Sequence, residues 1–430
     1  MEQKKESALK FFQQSGWVAL ATAMGTGLNG AVNLFARKLG EAHYGTYGSL
    51  LQAWQLLAFL SLGFQAVFMR YASSSEALGR PEILAGAVRS VVKLNIALWT
   101  LFGVVFFIFR HEAENYLKIS GTAAWWITVL VLPSSALLAI FNGLLQGKQN
   151  FAWFGGLSII SGLTRLVFVA FFIFLLGATA TSAALGVLLG FVSTLLVAVW
   201  ATRDSWNRAG APFHWSPFLT KAFFLTAGLG SGSVLMTLDS LQIKHSFSED
   251  DAGLYAAAGL VGRVLIPLSG SLLSVMFPKI VKSKILQEKS HALAITLGLT
   301  VCAATGATLF LYCFPELPIR VVYGSKYLMA VPLVPSYCLC QIPLTVAVVL
   351  LYNLMGREHY ASVPFLVLVA FGYHMALNRM HDSMQQVIWV MGAAGLAYLA
   401  VTVFFTWGWK DGKAAVASPG PGPQDPGPAR

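Results

Sequence analysis

Three ionisable side chains lie well inside long apolar runs of this chain: Arg165, Asp239 and Arg263. A charge placed in hydrocarbon costs on the order of 3 kcal/mol on insertion scales unless it faces water or a partner. Each is therefore expected to point into a cavity or a pair. A guanidinium is a permanently charged planar fork that grips phosphate oxygens two at a time, which makes Arg263 and Arg165 candidate anion contacts. The competing reading is structural, with Asp239 paired to Arg263 or to Lys244. Asp239 is also the carboxyl placed to couple to a proton or a cation.

Two basic doublets, Arg37-Lys38 and Lys244-His245, end apolar runs at related positions. They are candidates to line one shared vestibule, although such doublets commonly only mark a membrane interface. Gln55 and Gln65, ten residues apart, fall about 80° apart around a helix at 100° per residue. They could share a wet face with Asn29 and Asn33; hydrogen bonding between helices is the alternative. Arg70 and Lys279 read as interfacial anchors.

Other chemistry is missing. There is no phosphate-cradling Gly-x-x-x-x-Gly-Lys-Ser/Thr loop, no paired-carboxylate motif and no metal triad, so no cofactor is expected and the chain does not read as an enzyme. A membrane glycosyltransferase or polymerase is disfavoured on the same ground. Cys302, Cys313, Cys338 and Cys340 lack zinc spacing and read as small packing residues.

The elements that must position these residues are membrane helices. Of 430 residues, 56% are hydrophobic and only 11% charged, against about a quarter charged in soluble domains. Runs of about 20 apolar residues can cross a bilayer only as helices, because lipid offers no partner to an unpaired amide. Twelve such spans are expected, at 14–36, 46–69, 88–109, 122–146, 151–176, 180–202, 220–243, 252–276, 292–314, 327–352, 361–378 and 385–408. The first follows Lys4, Lys5 and Lys10 without a convincing cleavage site and reads as a retained helix.

With the N-terminus inside, nineteen of the 29 Lys and Arg residues fall on inner segments and eight on outer ones. The positive-inside rule then places both termini in the cytoplasm of a plasma (inner) membrane protein. That bias accounts for most of the net charge of +11, and nucleic acid is not an expected partner.

The sequence also reads twice. Tyr47 and Val67 recur as Tyr255 and Val275, both 208 residues on, within Ala42-His-Tyr-Gly-Thr-Tyr-Gly-Ser-Leu50 and Ala252-Gly-Leu-Tyr-Ala-Ala-Ala-Gly-Leu260. Leu144-Leu-Gln-Gly-Lys-Gln-Asn-Phe151 returns as Asn353-Leu-Met-Gly-Arg-Glu-His-Tyr360 at a separation of 209. The fold class expected is an all-α polytopic membrane protein, its twelve helices forming two six-helix bundles. An even number of spans per half sets their pseudo-two-fold axis along the membrane normal. The bundles would comprise residues 1–202 and 220–408, joined by a cytoplasmic linker at 203–219. A Pro/Gly-rich tail, 409–430, is expected to be disordered.

With these motifs in hand, the chain resembles the oligosaccharide and polysaccharide flippases of the multidrug/oligosaccharidyl-lipid/polysaccharide exporter superfamily. The resemblance rests on Leu34-Phe-Ala-Arg-Lys-Leu-Gly-Glu-Ala-His-Tyr-Gly-Thr-Tyr47, Gly143-Leu-Leu-Gln-Gly-Lys148, and Leu238-Asp-Ser-Leu-Gln-Ile-Lys244 leading to Ala252-Gly-Leu-Tyr-Ala-Ala-Ala258. It implies a V-shaped pair of bundles around a cavity lined by helices one, two, seven and eight. Arg263, Gln55, Asp239 and Lys244 fall on those helices; Arg165 does not.

The implied substrate is an undecaprenyl-pyrophosphate-linked oligosaccharide, carried from the cytoplasmic to the outer leaflet by alternating access. Membrane lipids, and other membrane proteins of polysaccharide biosynthesis, would be its partners. The alternative is a proton- or sodium-coupled exporter of amphipathic cations, in which Asp239 is the coupling acid.

Overall fold

A computed structural model describes residues 2–36, 47, 61, 63–108, 122–263, 265–288, 290–323 and 325–409. Among them there is no strand. The first half supplies α1 (Glu2–Ala36), α2 (63–78), α3 (Pro81–Ile108), α4 (Thr122–Gly147), α5 (Phe151–Leu176) and α6 (Ala180–Ala201). A short turn of helix, Arg203–Trp206, and an irregular segment lead to α7 (Trp215–Ser246). The second half continues with α8 (Glu249–Gly262), α9 (Leu265–Ile285), α10 (Ala292–Cys313), α11 (Leu333–Gly356), α12 (Val363–Arg379) and α13 (Met384–Val403).

Among the described residues, nine helices are long and apolar enough to cross a membrane. Of the other three expected spans, α1 is dotted with Gln, Ser, Thr and Asn, the second lies largely outside the described residues, and the eighth is interrupted. Helices apolar on every side must be buried in protein or in lipid. Both occur: Leu344 and Val349 are fully buried, while Phe174, Phe223 and Leu309 lie more than 60% exposed, as lipid-facing side chains do.

The interruption corrects the sequence reading, which places Arg263 in the middle of one helix over 252–276. Arg263 instead ends α8, with φ −81° and ψ 3°, and the helix resumes at Leu265. The cause is local. Pro267 has no N–H to give the carbonyl of Arg263 four residues earlier, so the ladder loses a bond there.

Within the first half α1 packs on α5, and α6 packs on both α5 and α4; within the second, α11 packs on α13, α10, α8 and α7, and α12 on α7 and α13. The halves meet where α9 crosses α1 and α4. The irregular segment lies along α3, with Ala211 N–H donating to the Glu82 carbonyl at 2.9 Å.

The duplication is visible in the backbone. After α2, Gly79 takes φ +64°, with Arg80 N–H donating to Ser75 and Gly79 N–H to Glu76; 208 residues on, Gln287 takes φ 55°, with Glu288 donating to Ser283 and Gln287 to Lys284. After α4, Gln149 (φ 55°) closes the same pair of bonds as Glu358 (φ 61°) does after α11, 209 residues on. All four are left-handed helix stops of one design. These turns share one end of the molecule, here termed the basal end.

A non-glycine residue in the left-handed region carries a cost that glycine avoids, partly offset by glycine's greater freedom when unfolded. Gln287 is exposed. Replacing it by the residue its repeat partner carries, Gln287→Gly, is expected to raise thermal stability by up to about 1 kcal/mol. A melting temperature measured in detergent checks this; a fall shows that the Gln287 side chain makes a contact that outweighs the strain.

Candidate functional site

The fully buried carboxylate of Asp239, on α7, is the centre of a polar cluster in the second half. Its Oδ2 accepts from the hydroxyls of Tyr255 (2.9 Å) and Tyr337 (2.7 Å). Arg263 Nη2 donates to both oxygens, at 2.8 and 2.7 Å, and to Ser240 Oγ at 2.8 Å. Three elements therefore converge: α7 brings the acid, α8 brings Tyr255 and ends on Arg263, and α11 brings Tyr337. Gly262 is what lets the last ring in, since a Cβ there would lie 2.3 Å from Tyr337 Cδ1.

A carboxylate offers about four lone-pair sites, and Asp239 meets four donor bonds. Three of the four fall on Oδ2 and one on Oδ1, and the buried charge is balanced by Arg263. Of the pairings weighed from sequence, the structure forms Asp239 with Arg263; Lys244 is exposed at the end of α7. Arg263 remains partly exposed, at 27%. All of its bonds to Asp239 and Ser240 leave from one nitrogen.

Arg165 sits apart from that cluster. It donates from Nη2 to Ser161 Oγ at 3.0 Å and lies over the Phe191 ring, 3.8 Å from its centroid, between α5 and α6. Gly190 gives it room, because a Cβ there would sit 2.4 Å from Arg165 Cγ. Arg37, Lys38 and Gln55 lie outside the described residues, as does the Asn33 side chain. Gln65 does bond between helices: its Nε2 donates to Gln146 Oε1 at 2.9 Å, and Gln146 Nε2 donates across the halves to Ser274 Oγ at 3.2 Å. Among the described residues no group of His, Cys, Asp and Glu could hold a metal.

Sequence reasoning missed a second cluster, at the basal end. Arg70, read as an anchor, is buried and pairs with Glu358 of the other half, Nη2 to Oε1 at 2.7 Å. It also donates to the Gly356 carbonyl at 2.8 Å. Lys221 on α7 and Lys284 on α9 each stand 3.2 Å from the same carboxylate, and Lys284 bonds the Arg357 carbonyl as well. Burial pushes the Glu358 carboxyl up, and Arg70, Lys221 and Lys284 more than offset it, holding the carboxyl at about 2. One anion thus ties α2 of the first half to α7, α9 and the α11–α12 turn of the second. The signal available beforehand was the repeat itself, in which Glu358 stands opposite Gln149.

Comparison with known proteins follows the same lines. The family model described as polysaccharide biosynthesis protein matches residues 13–284. A Shigella flexneri protein named as an O-antigen transporter is 24% identical over 243 residues, covering 54% of this chain and 56% of its own. The chain thus spans little more than half the length of that relative.

In solved structures, a Vibrio cholerae MATE transporter superposes with a TM-score of 0.79 at 13% identity, over 94% of this chain and 98% of its own. A Pyrococcus furiosus transporter of the MOP superfamily, described as having a binding pocket of reverse polarity, gives 0.70 at 13% identity, over 93% and 95%. At such identities the likeness concerns the fold. The all-α, two-bundle fold class and the resemblance read from the sequence are borne out; the number of spans is not fixed by the described residues.

Proposed function

The chain belongs to the polysaccharide biosynthesis protein family, and from that premise we propose that it is a flippase. It carries an undecaprenyl-pyrophosphate-linked oligosaccharide from the cytoplasmic to the outer leaflet of the plasma membrane. The observation that carries this reading is the family match itself, which spans α1 to α9 and so takes in both faces where the halves meet. The geometry supports the manner of transport. Two bundles held at one end by exchangeable polar contacts can rock about their shared interface, which is what alternating access requires.

In this reading the basal end is cytoplasmic and closed, as the distribution of Lys and Arg predicts. The edge of the Arg263 guanidinium turned away from Asp239 meets the pyrophosphate head group, with Lys244, Arg37, Lys38 and Gln55 along its path, while the lipid tail stays in the bilayer. Arg165, held between α5 and α6, supports the first bundle rather than the path. The full burial of Asp239 and its pairing with Arg263 favour this over an exporter of cations, for which the acid would have to be accessible.

The test is a flipping assay in proteoliposomes with a fluorescent undecaprenyl-pyrophosphate sugar, scored by an impermeant quencher. Protein-dependent loss of signal, saturating with substrate, is the expected result. No movement of that lipid, with gradient-driven uptake of a cationic dye by the same vesicles, would overturn the proposal in favour of the exporter.

A further inference from the structure

The two halves meet basally along two crevices, and the repeat relates one to the other. The first, a cavity of about 310 Å³, is lined by Arg70, Tyr71, Ser75, Lys221 and Glu358. The second, about 220 Å³, is lined by Phe11 and Gln149 of the first half and by Lys279, Lys282, Ser283 and His291 of the second. At separations of 208 to 210, Tyr71 corresponds to Lys279, Ser75 to Ser283, Glu358 to Gln149 and Lys221 to Phe11. The crevices share one backbone frame and differ in where their acid stands: Glu358 is held among its cations, whereas Glu288 is exposed and forms no ion pair among the described residues.

In the first crevice a carboxylate from the left-handed turn pairs with Arg70, Lys221 and Lys284. In the second the same turn presents a neutral amide, Gln149, to two lysines and a histidine. Lys279 lies over the Phe11 ring, its Nζ 4.8 Å from the centroid, and no described acid pairs with it. Burial pushes its ammonium down, with no acid offsetting the effect. Glu288 also lines this crevice, with its side chain exposed, and Glu76 of α2 lies near enough to Lys282 and Lys148 to feel their charge.

We propose that this second crevice binds a phosphate group, which supplies from outside the anion that Glu358 supplies from within on the other side. Lys279 and Lys282 furnish the charge, and Gln149 and Ser283 furnish neutral hydrogen-bonding groups. Because Phe11 and Gln149 come from one bundle and the lysines from the other, the bound anion bridges the halves and favours the closed basal end. Two sources fit the chemistry: a phospholipid head group at the membrane surface, or free phosphate. Either source would occupy the crevice independently of the transported substrate.

The decisive variant is Gln149→Glu, which gives the second crevice the acid of the first at a turn where Glu358 shows that glutamate fits (φ 61°). Purified full-length protein is titrated with inorganic phosphate in detergent and, separately, placed in phosphatidylglycerol or phosphatidylcholine nanodiscs, with melting temperature as the readout. Wild type is expected to be stabilised by phosphate, by phosphatidylglycerol over phosphatidylcholine, or by both; lipid alone identifies the head group as the source.

Lys279→Gln is expected to weaken that binding about tenfold or more, as for the loss of one hydrogen bond to a charged group. Gln149→Glu is expected to melt higher than wild type without phosphate and to lose the phosphate and lipid increments. Absence of any increment in wild type, or a Gln149→Glu protein that retains the full increment, overturns the proposal.

Discussion

The Arg263→Ala protein is expected to lose about 3–5 kcal/mol of stability, because it leaves the fully buried Asp239 carboxylate without its cation. The two tyrosine hydroxyls that remain cannot neutralise a charge. The double variant Arg263→Ala with Asp239→Asn removes both charges and is expected to recover most of that loss. Thermal unfolding in detergent checks the pair: an Arg263→Ala melting curve equal to wild type would show that Asp239 is not held by this arginine.

Transport then separates the two roles of Arg263. If the double variant folds and inserts but flips lipid-linked sugar at a small fraction of the wild-type rate, the guanidinium contacts the head group. Flipping at the wild-type rate would confine Arg263 to balancing Asp239.

A second large effect is expected at Glu358. Its carboxyl, held at about 2 against an ordinary 4.5, favours the state in which Arg70, Lys221 and Lys284 surround it by up to about 3 kcal/mol, at ~1.4 kcal/mol per tenfold. The sign follows from the depressed value. The stabilisation is complete above about 4.5 and is lost as pH falls through that range towards about 2. Glu358→Gln removes it at every pH and leaves three cations crowded together.

The basal seam is then expected to open. In a background lacking the four native cysteines, labelling of Ser274→Cys by an impermeant maleimide should rise on the order of 10- to 100-fold in Glu358→Gln. Unchanged labelling would show that the seam is held by its apolar contacts. Acidification of the parent towards pH 3 should reproduce part of the rise.

How much of this was legible beforehand depended on the range of the signal. Helices were legible because a run such as Phe151–Leu176 can satisfy its amides only within itself, whatever surrounds it. The duplication was legible from punctuation, and the structure returns it as matched left-handed turns at Gln149 and Glu358. The pairing of Asp239 with Arg263 was foreseeable as one of two partners, since both charges had to be buried.

The hydroxyls completing that cluster were not. Tyr337 lies 98 residues from Asp239, and nothing local distinguishes it from other apolar-run tyrosines. Arg70 reads as an anchor from sequence because an arginine near a helix end has a sufficient explanation in a membrane interface; only the contact across 288 residues to Glu358 shows otherwise.

The break after Gly262 has a mechanical consequence. Before the break, α8 is anchored through Tyr255 to the buried acid of its own bundle; after it, towards the basal end, α9 packs on α10 and α11 of its own bundle and on α1 of the opposite one. The two segments thus face different neighbours, and the break between them falls at Arg263. An uninterrupted helix bends only by stretching its i to i−4 bonds. Here one of those bonds is already absent, so a change of angle between the segments is comparatively soft. The arginine that balances Asp239 sits at the pivot and would register any such swing.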